Sequence, residues 1–133
     1  MVLYDGVCGL CNRAVRTILK RDQAGLFLFA SLQSDLGRQL LERYGRPADH
    51  LDSMILLADY GESSEQLLDR SAAVLFIIRK TGGWWRVFGL IRLLPHSIRD
   101  RLYRLIARNR YRWFGKYDAC PLPEKRYQER FLH

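Results

Sequence analysis

The chain has 133 residues, 48% of them hydrophobic and 12% aromatic, which suits one domain with a real core and excludes a disordered segment. Three cysteines are too few for a disulfide framework, and the longest apolar run, Ala72 to Ile78, is too short to cross a bilayer. The net charge of +8 lies entirely at the end of the chain: residues 1–83 carry 10 Lys+Arg against 10 Asp+Glu, and residues 84–133 carry 12 against 4. No basic-then-apolar leader precedes the first strand, so a cytoplasmic protein with mostly reduced thiols is expected.

Met1 to Tyr4 is predicted as the first strand. Asp5-Gly6-Val7-Cys8-Gly9-Leu10-Cys11 follows it directly and leads into helical spacing from Cys11 to Gln23. Ala14, Val15, Ile18 and Leu19 form the apolar face of that helix, and Arg13, Arg16 and Lys20 form a basic one. A strand that turns straight into a helix sets Cys8 at or near the helix N-terminus, where unpaired backbone N–H groups favour a thiolate. Cys11, two residues further on, can reach the same sulfur, which is the minimum equipment for thiol–disulfide exchange. The pair could also be half of a zinc site, but Cys120, His50, His96 and His133 include no second close pair. It could also be two inert buried thiols.

Gly25 ends the helix, and Leu26 to Ala30 reads as a buried central strand. Leu36, Leu40, Leu41 and Tyr44 mark a second helix, stopped by Gly45 and Pro47. Met54 to Ala58 is another buried strand, and Glu65 to Leu68 is its hairpin partner across Asp59-Tyr60-Gly61-Glu62. Asp69 or Ser71 can cap a third helix, Ala72 to Lys80, which is apolar nearly all round and is expected to be deeply packed. The order β-α-β-α-β-β-α is that of the thioredoxin-like α/β fold. A right-handed crossover makes the first strands parallel, and the last two pair antiparallel. The cysteines then lie at the C-terminal end of a parallel strand, where open α/β sheets place their sites.

After Thr81-Gly82-Gly83 the composition shifts. Trp84 to Leu94 holds eight apolar residues with Arg86 and Arg92 as its only charges, and is expected to pack on the core, a membrane-surface segment being the alternative. Pro95 breaks the pattern, and Ser97 with Asp100 resembles a capping box. Ile98, Leu102, Leu105 and Ile106 then form one apolar face. Arg101, Arg104, Arg108 and Arg112 form a stripe read as a solvated face with weak attraction for acidic partners. Residues 84–133 are thus a basic, mainly helical extension packed on a thioredoxin-like core of residues 1–83, one structural domain overall. Cys120, in Asp118-Ala119-Cys120-Pro121-Leu122-Pro123, is read as a lone thiol in a rigid loop, with an additional redox thiol beside the CxxC as the alternative.

Tyr4-Asp5-Gly6-x-Cys8-x-x-Cys11 resembles the signature of the DCC family of thiol-disulfide oxidoreductases, mostly bacterial thioredoxin-like proteins named for that Asp and those two Cys. Arg70-Ser71-Ala72, Tyr103-x-x-x-Ala107-Arg108-Asn109-Arg110-Tyr111-Arg112-x-Phe114-Gly115, Cys120-Pro121 and Arg130-Phe131-Leu132 resemble its later segments, so the likeness covers nearly the whole chain. It implies a redox-active pair at Cys8 and Cys11, with Asp5 as the third signature residue. Cys8 is expected to be the more exposed thiol and the nucleophile. It attacks a disulfide on a protein or small molecule, Cys11 resolves the mixed disulfide, and a separate reductant or oxidant recycles the pair. The Cys8–Cys11 disulfide is then the only redox group, with no other cofactor and no metal. Asp5 either accepts or relays the proton of Cys11, or forms the turn ahead of Gly6. Gly6 is expected to supply a backbone conformation closed to other residues. Gly9, Leu10 and Ser53 are the expected substrate contacts. Thioredoxins proper dock extended substrates on a cis-proline before the third core strand, but Leu51-Asp52-Ser53-Met54 contains none. That points to a smaller or differently presented disulfide. Two other functional classes stand beside this one: a nucleic-acid or anionic-membrane-surface module with a structural CxxC, and a zinc-stabilised interaction domain.

Overall fold

Alternation along the first strand sets the architecture. Val2 and Tyr4 point to one side and Leu3 to the other, and all three are buried, so this strand needs cover on both faces. In the computed structural model, which describes residues 1–47, 54–82, 90–121 and 124–132, that cover comes from helices on each side. The elements are β1 (Val2–Tyr4), α1 (Gly9–Arg21), β2 (Phe29–Ser31), α2 (Asp35–Arg43), β3 (Ile55–Ala58), β4 (Gln66–Asp69), α3 (Arg70–Thr81), α4 (His96–Phe114), a 3-10 helix (Lys125–Arg130) and β5 (Phe131–Leu132). The sheet order is β4-β3-β1-β2-β5. β1 and β5 flank β2 in parallel, and β1–β3 and β3–β4 are antiparallel. This is a mixed five-stranded sheet of the thioredoxin-like kind. Val2, Tyr4, Phe29 and Leu56 pack with Val15, Ile18 and Leu19 of α1 and with Ala73 and Ile77 of α3. Leu3, Ala30, Ile55 and Leu57 pack on the other face with Leu40 and Leu41 of α2. Each large side chain buried there contributes about 1.5–3 kcal/mol.

Several elements differ from the sequence expectations. β2 starts at Phe29 rather than Leu26, and Leu26 is 60% exposed. The Asp22 carboxylate accepts the N–H groups of Leu26 and Phe27 at 3.0 and 2.8 Å, which holds that stretch as a loop. Helix α3 is not deeply packed all round: its fully buried residues are Ser71, Ala73, Ile77 and Ile78, and Val74 is exposed. The capping box at Ser97 does not form. Pro95 is the N-cap of α4, and Asp100 turns inward to accept the Ser71 hydroxyl at 2.6 Å.

Helix α4 packs against α1 and α3, but not through its expected apolar face. Ile98, Leu102, Leu105 and Ile106 remain 43–53% exposed, while Arg110 is buried and the Tyr103 hydroxyl accepts the Met54 N–H at 2.9 Å. Leu90 to Leu94 are likewise exposed, and residues 84–89 of the expected packing segment lie outside the described residues. The end of the chain is not only helical. β5 adds a strand beside β2, Phe131 stacks on Phe29 at 5.4 Å, and Arg130 pairs with the buried Asp22.

Candidate active site

The CxxC occupies the junction of β1 and α1. Cys8 is the N-cap of α1, with extended backbone, and its Sγ accepts the Cys11 N–H at 3.4 Å. One of the orphan amides of the first turn is therefore satisfied by sulfur instead of the usual hydroxyl or carboxylate. Asn12, which sequence reasoning passed over, locks the loop by donating its side-chain amide to the Gly6 and Cys8 carbonyls at 2.7 and 2.9 Å. The Cys8 thiol is pulled down to about 6, first by the hydrogen bond from the Cys11 thiol. The backbone N–H groups of Cys11 and Leu10 and the charge of Arg110 add to this, against the opposing effect of burial. The Cys11 thiol is pushed upward as donor to Cys8, by burial, and by the charge on Cys8. One thiol thus holds the proton and the other the charge.

Cys8 was expected to be the exposed member of the pair, and it is not. It is 0% exposed against 8% for Cys11. The cause is a strap from the C-terminal part. Residues after α4 run antiparallel over the CxxC loop: Gly9 N–H donates to the Gly115 carbonyl at 3.1 Å and Tyr117 N–H donates to the Val7 carbonyl at 2.7 Å, and these two bonds pair Cys8 with Lys116. Gly9 is required by this approach, because a Cβ there would lie 2.2 Å from the Phe114 carbonyl oxygen. Leu10 is half-buried and, with Cys11, lines a groove between α1, α3 and α4. Ser53 lies outside the described residues.

Asp5 is 2% exposed, and its carboxylate is fully engaged. Oδ1 accepts the Val7 N–H at 3.1 Å and the Gln33 side-chain amide at 2.9 Å. Oδ2 accepts Arg110 at 3.1 Å and the Tyr111 hydroxyl. Among the described residues, none of its hydrogen bonds goes to a cysteine. Arg110 is the residue that sequence reasoning missed. Its side chain is 6% exposed against 3% for Asp5, so the pair is buried as well as distant in sequence. Helical spacing carried a signal: Arg110 falls seven residues after Tyr103, on the face opposite the exposed arginine stripe. The positive charge that acts on Cys8 comes from Arg110, while Arg13, on the basic face of α1, lies over the Phe114 ring.

Gly6 also has a different reason from the one expected. Its φ is not in the left-handed region; a Cβ there would lie 2.6 Å from the Cys120 sulfur and 2.7 Å from the Ser31 hydroxyl. Cys120 therefore packs directly on the turn before the CxxC, and its sulfur sits 3.6 Å from the Tyr4 hydroxyl. Burial, then that hydrogen bond, then the charges of Cys120 and Cys11 push the Tyr4 phenol upward. Among the described residues, no group of three or more His, Cys, Asp or Glu side chains is placed to hold a metal ion. No helix among them is long and apolar enough to cross a membrane.

A thioredoxin-like sheet carrying a capped, charge-tuned CxxC at the end of its first strand is the frame of a thiol-disulfide oxidoreductase. The chain belongs to the DCC1-like thiol-disulfide oxidoreductase family, whose profile matches residues 2–116. It is 44% identical over 132 residues to the uncharacterized protein YuxK of Bacillus subtilis, covering 99% of this chain and 93% of that one. It is 34% identical over 123 residues to a chloroplastic DCC family protein of Arabidopsis thaliana, covering 92% of this chain and 69% of that one. No solved structure matches it.

Proposed function

We propose that the protein is a reductase-type thiol-disulfide oxidoreductase in which Cys8 is the nucleophile and Cys11 the resolving thiol. The observation that carries this is the pairing at the helix start: the Cys8 sulfur accepts the Cys11 N–H and sits beside a thiol that keeps its own proton. The Cys8 thiolate attacks one sulfur of a substrate disulfide, forming a mixed disulfide and expelling the first substrate thiolate. Cys11 then loses its proton, which leaves with a substrate thiolate or to solvent, and attacks the Cys8 sulfur. The second substrate thiolate departs, the Cys8–Cys11 disulfide forms, and two electrons have passed to the substrate. A separate dithiol restores the pair.

Asp5 acts as a positioning residue: it shapes the turn through Val7 and holds Arg110, whose charge favours the Cys8 thiolate. Access to Cys8 requires the Gly115–Tyr117 strap to lift. Lifting frees the Val7 carbonyl and the Gly9 N–H, and an extended substrate segment can pair with both. This differs from docking at the start of β3, where Tyr103 already takes the Met54 N–H. A disulfide presented at the loop edge, on a protein or a small molecule, is the substrate class that fits. The cytoplasm, where a reductant for the pair is at hand, is the proposed setting.

The test is the Cys11→Ser variant exposed to a model disulfide. Mass spectrometry is expected to show one substrate adduct, mapped to Cys8, because the intermediate has no resolving thiol. Bound zinc at one per chain with no adduct would replace this function with a structural role for the cysteines.

A further inference from the structure

We propose that the face made by α4 and the Leu90–Leu94 segment is a docking surface for an anionic lipid bilayer. Ile98, Leu102, Leu105, Ile106 and Trp113 recur at spacings that place them in one stripe at 3.6 residues per turn. They are 43–55% exposed. Leu90 and Leu93, at 61% and 79% exposed, extend the apolar surface ahead of the helix, with Ile91 and Leu94 beside them. The inward side of α4 is already taken by Tyr103, Arg110 and Asp100, so among the described residues the stripe lies along the rim of the groove and turns about half of its surface to solvent. Exposed apolar surface this continuous marks a site of interaction.

The charges around the stripe name the partner. Arg101, Arg104, Arg108 and Arg112 run along one edge, Arg99 stands on the other, and Arg92 lies within the leading segment. Asp100, the one acidic residue between positions 90 and 117, is turned inward onto Ser71. A second copy of this face would bring arginine against arginine. A nucleic acid would use the arginines and leave the aliphatic stripe in water. An anionic bilayer satisfies both: Leu and Ile enter the acyl boundary while the guanidinium groups reach lipid phosphates. The groove of about 420 Å³ between α1, α3 and α4 shares Ile91, Leu94, Leu102 and Ile106 with this face and reaches Cys11. Docking would set the thiol pair beside the membrane surface, but it does not depend on the thiols.

The experiment is co-sedimentation of the full chain with phosphatidylcholine vesicles containing about one-third phosphatidylserine, together with tryptophan emission. Binding is expected at low salt, is lost at high salt, and is absent from pure phosphatidylcholine. The triple variant Arg101→Gln, Arg104→Gln, Arg108→Gln is expected to lower partitioning roughly 100-fold. Leu93→Glu, at a position exposed enough to leave the fold intact, is expected to lower it roughly tenfold or more. Thermal unfolding confirms that both variants fold. The Cys8→Ser, Cys11→Ser double variant is expected to bind as the parent does, which separates this inference from the thiol chemistry. Three outcomes would overturn it: no vesicle binding at low salt, binding indifferent to both variants, or lipid-free dimerisation that Leu93→Glu abolishes.

Discussion

Cys8 combines two properties that usually exclude each other, a low pKa and complete burial. Burial by itself would raise a thiol, so the thiolate owes its stability to aimed donors: the Cys11 thiol first, then backbone N–H groups, then the Arg110 charge. Alkylation rate against pH should therefore show an inflection at about 6, far below the ~8.5 of a free cysteine. In Cys11→Ala the strongest donor to the thiolate is gone, the protonated form gains, and the inflection should move up. Faster labelling of Cys11 than of Cys8 in the parent protein would reverse the assigned roles. Arg110→Gln should raise the same inflection through loss of a positive charge. It should also cost about 3–5 kcal/mol in denaturant unfolding, because it leaves Asp5 buried without its counter-charge. A purely structural arginine would move the second measurement and not the first.

Among the elements, the strap after α4 controls whether the site can work. Two backbone hydrogen bonds, which pair Cys8 with Lys116 as an antiparallel bridge, close it over Cys8, and Gly9 and Gly115 make that closure fit. Gly115 takes φ +81, a conformation costly for other residues, and Gly9 leaves room for the Phe114 carbonyl. Gly9→Ala should push the strap away, with a stability loss of about 1–3 kcal/mol and faster alkylation of Cys8. An unchanged alkylation rate in a folded Gly9→Ala variant would show that the strap does not gate the thiol. Helices α3 and α4 show why apolar pattern alone misled. Both have enough apolar residues to be buried, but the space between them and α1 is a groove, so Val74, Leu102 and Ile106 line an opening.

For the whole molecule, the decisive contacts run from the last third of the chain back to the first. β5 covers the edge of β2, Arg130 holds Asp22, Arg110 holds Asp5, and Cys120 fills the space over Gly6. Removing residues 84–133 would expose the β2 edge and leave Asp5 without Arg110. The truncated chain should aggregate or lose cooperative thermal unfolding. A soluble fragment that unfolds cooperatively and keeps the Cys8 inflection would show that the extension is a separate module.

Strand β5 beside β2 and the antiparallel β1–β3 pairing were not legible in the chain. The order of strands and helices through α3, the parallel β1–β2 and antiparallel β3–β4 pairings, and the placing of the CxxC at the β1–α1 junction were. They depend on local periodicity, turn residues and the handedness of crossovers, which act over a few residues at a time. Cys8 and Cys11 were legible for the same reason, as a close pair at a helix start, and Asp5 was legible through the resemblance to the DCC signature. What the tertiary structure alone decided was their surroundings. The partner of Asp5 is 105 residues away, Cys8 is covered by residues that follow α4, and the glycines at 6 and 9 are set by what crosses over them. Contacts at that separation leave no periodic trace in a single sequence. They arise only when the chain closes on itself.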